Sequence, residues 1–509
     1  MLIIDKYKDK INGVLSTFDR MILKGHLRQF FSPSGKMHFL SQENVLLKDF
    51  GDYAKNVTSQ IKEYIENMAQ ERQRSLIYLT SPKVSKEETA LDVLKRDPVE
   101  EGLICIISTV ELCKSVEVRK SKDTEKLELQ NGWRKCLYYY FYYLDREFGF
   151  MHVRLQSWFP FEIQVYINGR EYLSKQLDKQ GINYQRYDNS FTSIADIPQA
   201  QEIANAFTGR DLNNMLNHFA NEVNPFLKRL EEIFHCGYFW CLDQCEYATD
   251  VMFKSRDELQ NIYPDIVKYA LLSFKCEDVM TFLGRKMHPA FSGEVVSDMK
   301  KRPQGIRIKH RMKNNSIKMY DKDSVLRVEM TINTPREFKI FKESGAQKQK
   351  KWVPMGKSIA NLYRYAQVSE AANKRYLDAL SLVEPKTESI QEIEKICHRV
   401  TSGKRTFSGM NPISKEAEAI FLAVMDAGNH INGFTNASIR KFLFLDATME
   451  DKKIMNKTTR IIAKLRAHKL IAKIPHSFRY KVTVKGIRIM SAALAVKNIK
   501  LAEIMKKVS

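Results

Sequence analysis

Cysteine is scarce in this chain, with eight in 509 residues. So few thiols in so long a chain, with no secretory signal, argue against a disulfide framework. The one cluster, Cys236, Cys241 and Cys245 beside His235, has spacings that match no zinc knuckle. Cys245 also falls inside a strand-like apolar run, so core thiols fit the cluster better than zinc. No apolar run approaches the length of a membrane-spanning helix, and Met1–Lys10 (MLIIDKYKDK) lacks a signal-peptide core. Neither a membrane partner nor secretion is therefore expected, and the expected compartment is reducing cytoplasm. Residues 1–130 also lack a phosphate-binding glycine loop.

Acid is short in two places only. Residues 301–351 carry 15 Lys/Arg against 5 Asp/Glu, and residues 411–509 carry 19 against 7. These two blocks account for the whole net charge of +22, and the remainder is formally neutral. Two focused basic blocks predict two sites for a polyanion, with DNA the preferred partner and structured RNA the alternative.

The length predicts two to four domains. The expected organisation is an N-terminal α+β module over 1–130, a central α+β domain over 131–385, a linker region over 386–410 and a C-terminal module over 411–509. Within the first module, Leu47–Met68 has helical spacing, and Ser75–Leu79 and Gly102–Ser108 read as strands. The charged stretches Lys83–Glu88 and Lys114–Lys126 read as loops or strand edges. Leu137–Leu144 (LYYYFYYL) is aromatic on both faces, the pattern of a central strand covered twice; the rival reading is base stacking. Strands are expected at Phe150–Trp158 and Phe161–Ile167, then a turn at Asn168-Gly169. Helices follow over Ile197–Phe207 and Asp211–Phe234, a strand over Tyr238–Phe253, a helix over Ser255–Phe274, a strand at Val279–Gly284 and a helical region over Lys357–Leu382.

The sharpest pattern is Gly305–Ile332, GIRIKHRMKNNSIKMYDKDSVLRVEMTI. It predicts three short strands with turns at Asn314-Asn315 and Asp323-Ser324. Alternation buries Ile317, Met319, Leu326, Val328 and Met330 on one face. Ser316, Lys318, Tyr320, Lys322, Arg327 and Glu329 take the other. Two-residue turns place Lys309 and Arg327 opposite Tyr320, and Lys318 opposite Glu329. A tyrosine between two cations, with a carboxylate one pair away, suits attack on a phosphodiester; a polar, non-catalytic sheet face is the rival reading. In Tyr238–Phe253, Glu246 and Asp250 share a face but lie roughly 13 Å apart along the strand, too far to hold one metal ion by themselves.

Thr401–Pro412 has linker composition. Beyond it come helices at Ser414–Met425, Thr435–Phe442 and Asn456–His468, strands at Leu470–Ile474 and Arg479–Thr483, and a closing helix. Three helices with a basic third helix and a two-stranded wing predict a winged helix-turn-helix. Lys457, Thr458, Thr459, Arg460 and Lys464 are its candidates for the major groove, and Lys473, His476, Arg479 and Lys481 for the wing. Its T-x-R-I-I-x-K-L pattern resembles the MarR-like arrangement, and a homodimer through this module is a candidate assembly.

EYATD at Glu246–Asp250, TFLGRK at Thr281–Lys286, SIKMYDK at Ser316–Lys322 and LRVEMTI at Leu326–Ile332 follow one another in order. This series, about 90 residues of the chain, resembles the replication initiators of rolling-circle plasmids and filamentous phages. The resemblance implies an initiator-like α+β domain with a mostly antiparallel sheet, nicking and joining single-stranded DNA through a tyrosine. Carried over by position, Tyr320 is the nucleophile and Lys322 and Arg327 stabilise phosphate charge. Glu246, Asp250 and Glu329 become ligands of Mg²⁺ or Mn²⁺. Arg307, Lys309, Arg311 and Lys318 complete the central nucleic-acid surface. The chain departs from many such nucleases in having no His-x-His among its eleven histidines. A winged-helix transcriptional regulator, an RNA-binding protein and a tyrosine transposase are the rival readings.

Overall fold

The computed structural model describes residues 2–121, 125–285, 294–302, 305–344, 349–381, 396–403, 405–412, 414–444 and 452–494. Its centre is a mostly antiparallel sheet of eleven strands. The first half of the chain supplies β1 (Ile11–His26), β2 (Ser75–Tyr78), β3 (Gly102–Lys120), β4 (Leu127–Asp145), β5 (Gly149–Gln156) and β6 (Ile163–Asn168). A small separate hairpin, β7 (Tyr184–Tyr187) and β8 (Ser190–Ile194), comes next. The second half adds β9 (Phe239–Phe253), β10 (Val295–Arg302), β11 (Gly305–Met312), β12 (Asn315–Lys322) and β13 (Val325–Ile332). The sheet order is β10-β11-β12-β13-β9-β1-β6-β5-β4-β3-β2, and only the β2/β3 pair is parallel.

That order contains a repeat. β1 is followed by helices and then by the meander β3–β6, whose last strand returns to pair with β1. β9 is followed by helices and then by the meander β10–β13, whose last strand returns to pair with β9. β1 and β9 pair antiparallel with each other, which relates the two halves by a pseudo-two-fold axis through their seam. The boundary expected at 130/131 falls inside β4, within this continuous sheet.

Helices cover both faces. They are α1 (Leu2–Lys6), α2 (Pro33–Gln42), α3 (Phe50–Glu71), α4 (Lys86–Arg96), α5 (Gly169–Lys179), α6 (Ile197–Ala206), α7 (Asn213–Val223), α8 (Leu227–Phe234), α9 (Arg256–Gln260), α10 (Tyr263–Leu272), α11 (Cys276–Phe282) and α12 (Leu362–Leu380). In α3 the apolar residues Phe50, Ala54, Val57, Ile61, Ile65 and Met68 recur every three or four positions and are buried. The face carrying Tyr247, Ile317, Met319, Val328 and Met330 packs on α12, and Asn373 donates from α12 to the Tyr247 carbonyl at 3.1 Å. On the opposite face α5, α6 and the β7–β8 hairpin bury Leu15, Leu173, Leu177, Phe191, Met252 and Val325 together. Tyr138–Tyr143 are buried throughout, so the tyrosine run is a central strand and not an exposed stacking surface.

Several local expectations change. Asn168-Gly169 is no turn: the Asn168 side chain accepts from the Arg170 amide at 2.9 Å and starts α5. Val279–Gly284 does not form a strand, because α11 runs through it with the Asp278 carboxylate accepting from the Lys275 amide at 2.8 Å. Of the two readings offered for Lys114–Lys126, Lys114–Lys120 takes the strand-edge one: it belongs to β3 and pairs with β4, beyond the reach of β2. The first turn of the β11–β13 unit is Lys313-Asn314, one residue before the expected place. Buried Asn315 joins β12, where its side chain accepts from the Asn333 and Thr334 amides at 3.0 and 2.9 Å. The shift puts Arg307, and not Lys309, opposite Tyr320, while Arg327 and the Lys318–Glu329 pair sit as expected. The second turn is at Asp323-Ser324 as read from the sequence.

The C-terminal part has its own core, with Ile420, Phe421, Ile439, Ile462, Leu465, Leu470 and Met490 among its members. Helices span Lys415–Val424, Ala427–Asn432, Asn436–Leu443 and Lys452–Ala467, followed by paired strands Ile471–Lys473 and Tyr480–Val482 and a helix over 484–494. Ser414 and Thr435 cap their helices as the sequence suggested. Part of the expected linker is a hairpin, Val400–Ser402 with Arg405–Phe407. Residues 386–395 of that region lie outside the described residues. No helix among the described residues is long and apolar enough to cross a membrane.

At Gly169 the start of α5 lies close against β1. A Cβ there would lie 2.6 Å from the Phe18 carbonyl oxygen and 2.7 Å from the Phe18 Cβ. Gly169→Ala is expected to destabilise the fold by about 1–3 kcal/mol through overpacking, read from the urea-unfolding midpoint.

Candidate functional site

β13 is the floor of the site. It lies between β12 and β9, and all eight of its residues are buried. Period-2 alternation sends Val325, Arg327, Glu329 and Thr331 to one face, where they meet Lys318 and Tyr320 of β12 and Glu246 and Asp250 of β9. Arg307 of β11, Asp19 and Arg20 of β1, and Asp188 and Asn189 of the β7–β8 turn close the walls. The cavity, open to solvent on one side, measures about 290 Å³.

Two layers of charge line it. In the deeper layer Arg327 is fully buried and makes paired bonds to Asp250, 2.7 Å from Nε to Oδ1 and 2.9 Å from Nη2 to Oδ2. Its Nη1 reaches Asp19 at 2.9 Å and its Nη2 the Asn189 carbonyl at 2.5 Å. Arg170 of α5 donates to Asp250 Oδ2 at 2.6 Å. Burial opposes ionisation of Asp250, but Arg170 and Arg327 hold its carboxyl below the usual carboxylate range. Both carboxylates of this layer are taken up by the protein itself, while the Arg170 Nε and Nη2 atoms are buried without a hydrogen bond. Arg327 is thus placed as a buried strut under Tyr320, its guanidinium carbon 5.9 Å from the ring centre, and Asp250 has both oxygens engaged.

The upper layer faces the cavity. Tyr320 donates its hydroxyl hydrogen to Glu329 Oε2. Lys318 Nζ donates to the other Glu329 oxygen at 2.6 Å and to Glu246 Oε1 at 2.9 Å. Burial opposes a charge on Glu329, yet Lys318, the Tyr320 bond and Arg327 bring its carboxyl down to about 2. Glu246 has one strong partner, and burial together with the Glu329 charge pushes it up to about 7. Burial and Glu329 push the Tyr320 phenol well above its ordinary value, so it is a phenol at rest and not the phenolate that flanking cations alone would favour. Lys322 donates to Asp188 at 2.7 Å and lies 5.9 Å from the Tyr320 ring centre.

The carboxylates do not fit a divalent ion as arranged. The Lys318 ammonium bridges Glu246 and Glu329, Asp250 is closed by two guanidinium groups, and Asp19 is held by Arg327 and Asn189. Among the described residues no group of three or more His, Cys, Asp or Glu side chains is placed to hold a metal, the Cys236–Cys245 cluster included.

Other predicted residues lie around this centre or apart from it. Arg307 donates to Asp298 at 3.3 Å, Lys309 pairs across from Lys318, and Arg311 is exposed. In the C-terminal part Lys457, Thr459, Arg460, Lys473 and Lys481 are exposed, with Lys457 5.5 Å from the Phe444 ring centre. Thr458 is buried and bonds back to Ile454. Lys464 turns inward to the Gly409 carbonyl at 2.9 Å, and Arg479 donates to the Gly433 carbonyl at 2.9 Å, so neither presents a free head group. Sequence reasoning missed Asp19, Arg20, Arg170, Asp188 and Asn189. One signal was present: Asp19-Arg20 sets two adjacent charges in the middle of the strand INGVLSTFDRMILKGH, between Phe18 and the apolar run Met21–Leu23.

No family model, curated protein or solved structure matches the chain. Arg327→Leu would leave two buried carboxylates, Asp250 and Asp19, to share the single guanidinium of Arg170. A loss of about 3–5 kcal/mol is expected in urea unfolding, and Arg327→Lys should recover little of it because an ammonium cannot make the paired bonds.

Proposed function

We propose that this protein nicks and rejoins single-stranded DNA through Tyr320, and that its C-terminal part is a winged helix that reads a nearby duplex site. The observation that carries this reading is the Tyr320 hydroxyl already donating to an ionised Glu329 in a cavity also lined by Arg20, Arg307, Lys318 and Lys322. The order of motifs shared with rolling-circle initiators supports it, although Thr281 and Phe282 of TFLGRK end a helix here and are not in a strand.

The chemistry follows from the two carboxylates, whose environments push their acidities apart. As the phenolic oxygen attacks phosphorus, Glu329 accepts its proton, which removes the need for a preformed phenolate. Lys318 and Arg307 face the charge that builds on the phosphoryl oxygens. Glu246, half-protonated near neutrality, gives a proton to the departing sugar oxygen. The phosphorus–sugar bond breaks, a phosphotyrosyl bond forms, and reversal of the same transfers rejoins the strand. Mg²⁺ or Mn²⁺, implied by the resemblance, would require Lys318 to leave the two glutamates, and no step here is routed through a metal.

Two tests apply. Tyr320→Phe should fold normally and form no protein–DNA adduct on denaturing electrophoresis with a labelled single strand, whereas an adduct persisting in this variant would place the nucleophile elsewhere. In the wild type the single-turnover rate should be level below pH 7 and fall about tenfold per unit above it, because the acid form of Glu246 is lost as the pH rises through its raised value. Glu246→Gln should lower the plateau and abolish that alkaline limb.

For the C-terminal part, the capped Asn436–Leu443 helix, the basic Lys452–Ala467 helix and the paired strands support duplex binding. Arg460→Glu should reduce affinity for the preferred duplex most, while Lys473→Glu or Lys481→Glu should weaken all duplexes alike. In each wing variant the slope of log affinity against log salt should become shallower by about 0.9 for each phosphate left unneutralised.

A further inference from the structure

A second surface stands apart from the cavity. After β13 the chain forms a two-stranded ribbon, β14 (Lys339–Ser344) and β15 (Gln349–Pro354). Its base is fixed: Phe338 and Ile340 are buried in the main core, and the Met355 amide donates to the Phe338 carbonyl at 2.8 Å. Arg364 of α12 braces the ribbon by donating to the Lys339 carbonyl at 2.8 Å. Outward from this base the ribbon presents what soluble surfaces normally hide. Phe341 and Trp352 are direct cross-strand partners with ring centres 5.5 Å apart, yet they are 51% and 55% exposed.

The charge around the rings selects the partner. Lys339, Lys342, Lys350 and Lys351 are all exposed, and none has an ion pair among the described residues; Lys339 and Lys350 share the ring face with Glu343, the one acid on either strand, and Lys342 and Lys351 are cross-strand partners on the other face. The Arg364 guanidinium lies 5.2 Å from the Trp352 ring centre. Apolar rings alone would suit many partners, but rings on a ribbon that carries four lysines against one acid suit a polyanion that also offers flat apolar faces. A duplex hides its base faces in the stack, whereas a single strand exposes them. A cross-strand aromatic pair also steadies a hairpin by itself, but that role calls for neither the four unpaired lysines nor the exposure.

We propose that this ribbon is a docking arm for single-stranded nucleic acid, with unpaired bases stacking on Trp352 and Phe341 and the lysines holding phosphates. The arm does not depend on the chemistry proposed for Tyr320. It would serve a cleaving or a non-cleaving protein alike.

The test uses the full chain and labelled 20-nucleotide oligo(dT), oligo(rU) and a 20-base-pair duplex. Binding is followed by anisotropy, and stacking by quenching of intrinsic tryptophan fluorescence. Trp133, Trp158 and Trp240 also emit, so the Trp352 signal is the difference between wild type and Trp352→Leu. Wild type should lose fluorescence on binding oligo(dT), and Trp352→Leu should lack that component and bind about tenfold more weakly. Phe341→Leu should weaken single-strand binding in the same direction, and Lys350→Glu with Lys351→Glu should flatten its salt dependence. The duplex should bind all aromatic variants equally well. Quenching by oligo(dT) alone identifies DNA as the ligand, and equal quenching by oligo(rU) identifies the shared single-strand chemistry. Unchanged oligo(dT) affinity in Trp352→Leu with a lowered melting temperature would show a purely structural pair and overturn the proposal. An equal loss of duplex affinity would overturn it as well. A Tyr320→Phe protein that forms no adduct but keeps the full quench separates this arm from the cavity; absence of any adduct in the wild type, with the quench intact, would refute the nicking reading alone.

Discussion

The candidate site depends on a buried ion network with Arg327 at its centre. This one side chain joins β13 to β9 through Asp250, to β1 through Asp19 and to the β7–β8 turn through the Asn189 carbonyl. Arg170 ties α5 to the same Asp250. Burying two guanidinium groups and two carboxylates is expensive unless geometry is good on every side. A displaced strand would break several of these bonds together. The network therefore fixes the register in which Tyr320 stands over Arg327 and beside Glu329.

On that floor a single ammonium sets the chemistry of two glutamates. Lys318 lies between them, but only Glu329 also receives the tyrosine hydroxyl and the field of Arg327. Glu246 lacks those additional partners and carries the consequence of its neighbour's charge. A carboxyl held well below its ordinary value beside one raised to about 7 is a consequence of this asymmetry. The sheet's repeated halves place the site close to their shared seam, since β9 supplies Glu246 and Asp250 and β1 supplies Asp19.

Local features of this arrangement were legible in the sequence, and long-range ones were not. Strict alternation from Ser316 to Ile332 gave the faces correctly, and Asp323-Ser324 marked its turn. The neighbouring turn was misplaced because two adjacent asparagines look alike locally, while tertiary bonds draw Asn315 into the strand. VMTFLG was ambiguous because a short apolar run fits a strand or a buried helix, and the Asp278 cap decided for the helix. The partners of Arg327 lie far off in the chain, and Asp19 is 308 positions away. No periodicity says which distant strand will sit beside which. The initiator resemblance, which no match to a known protein accompanies, rests on motifs of the β9–β13 half alone.

The most direct measurement of the central claim is the identity of the atom joined to DNA. Wild-type protein incubated with a cognate single strand would be denatured and digested with protease and nuclease, and the nucleotide-bearing peptide sequenced by mass spectrometry. The account predicts a single modified peptide with the phosphate on Tyr320, within SIKMYDK. A nucleotide attached to any other residue, or a strand cut without attachment to the protein, would contradict it.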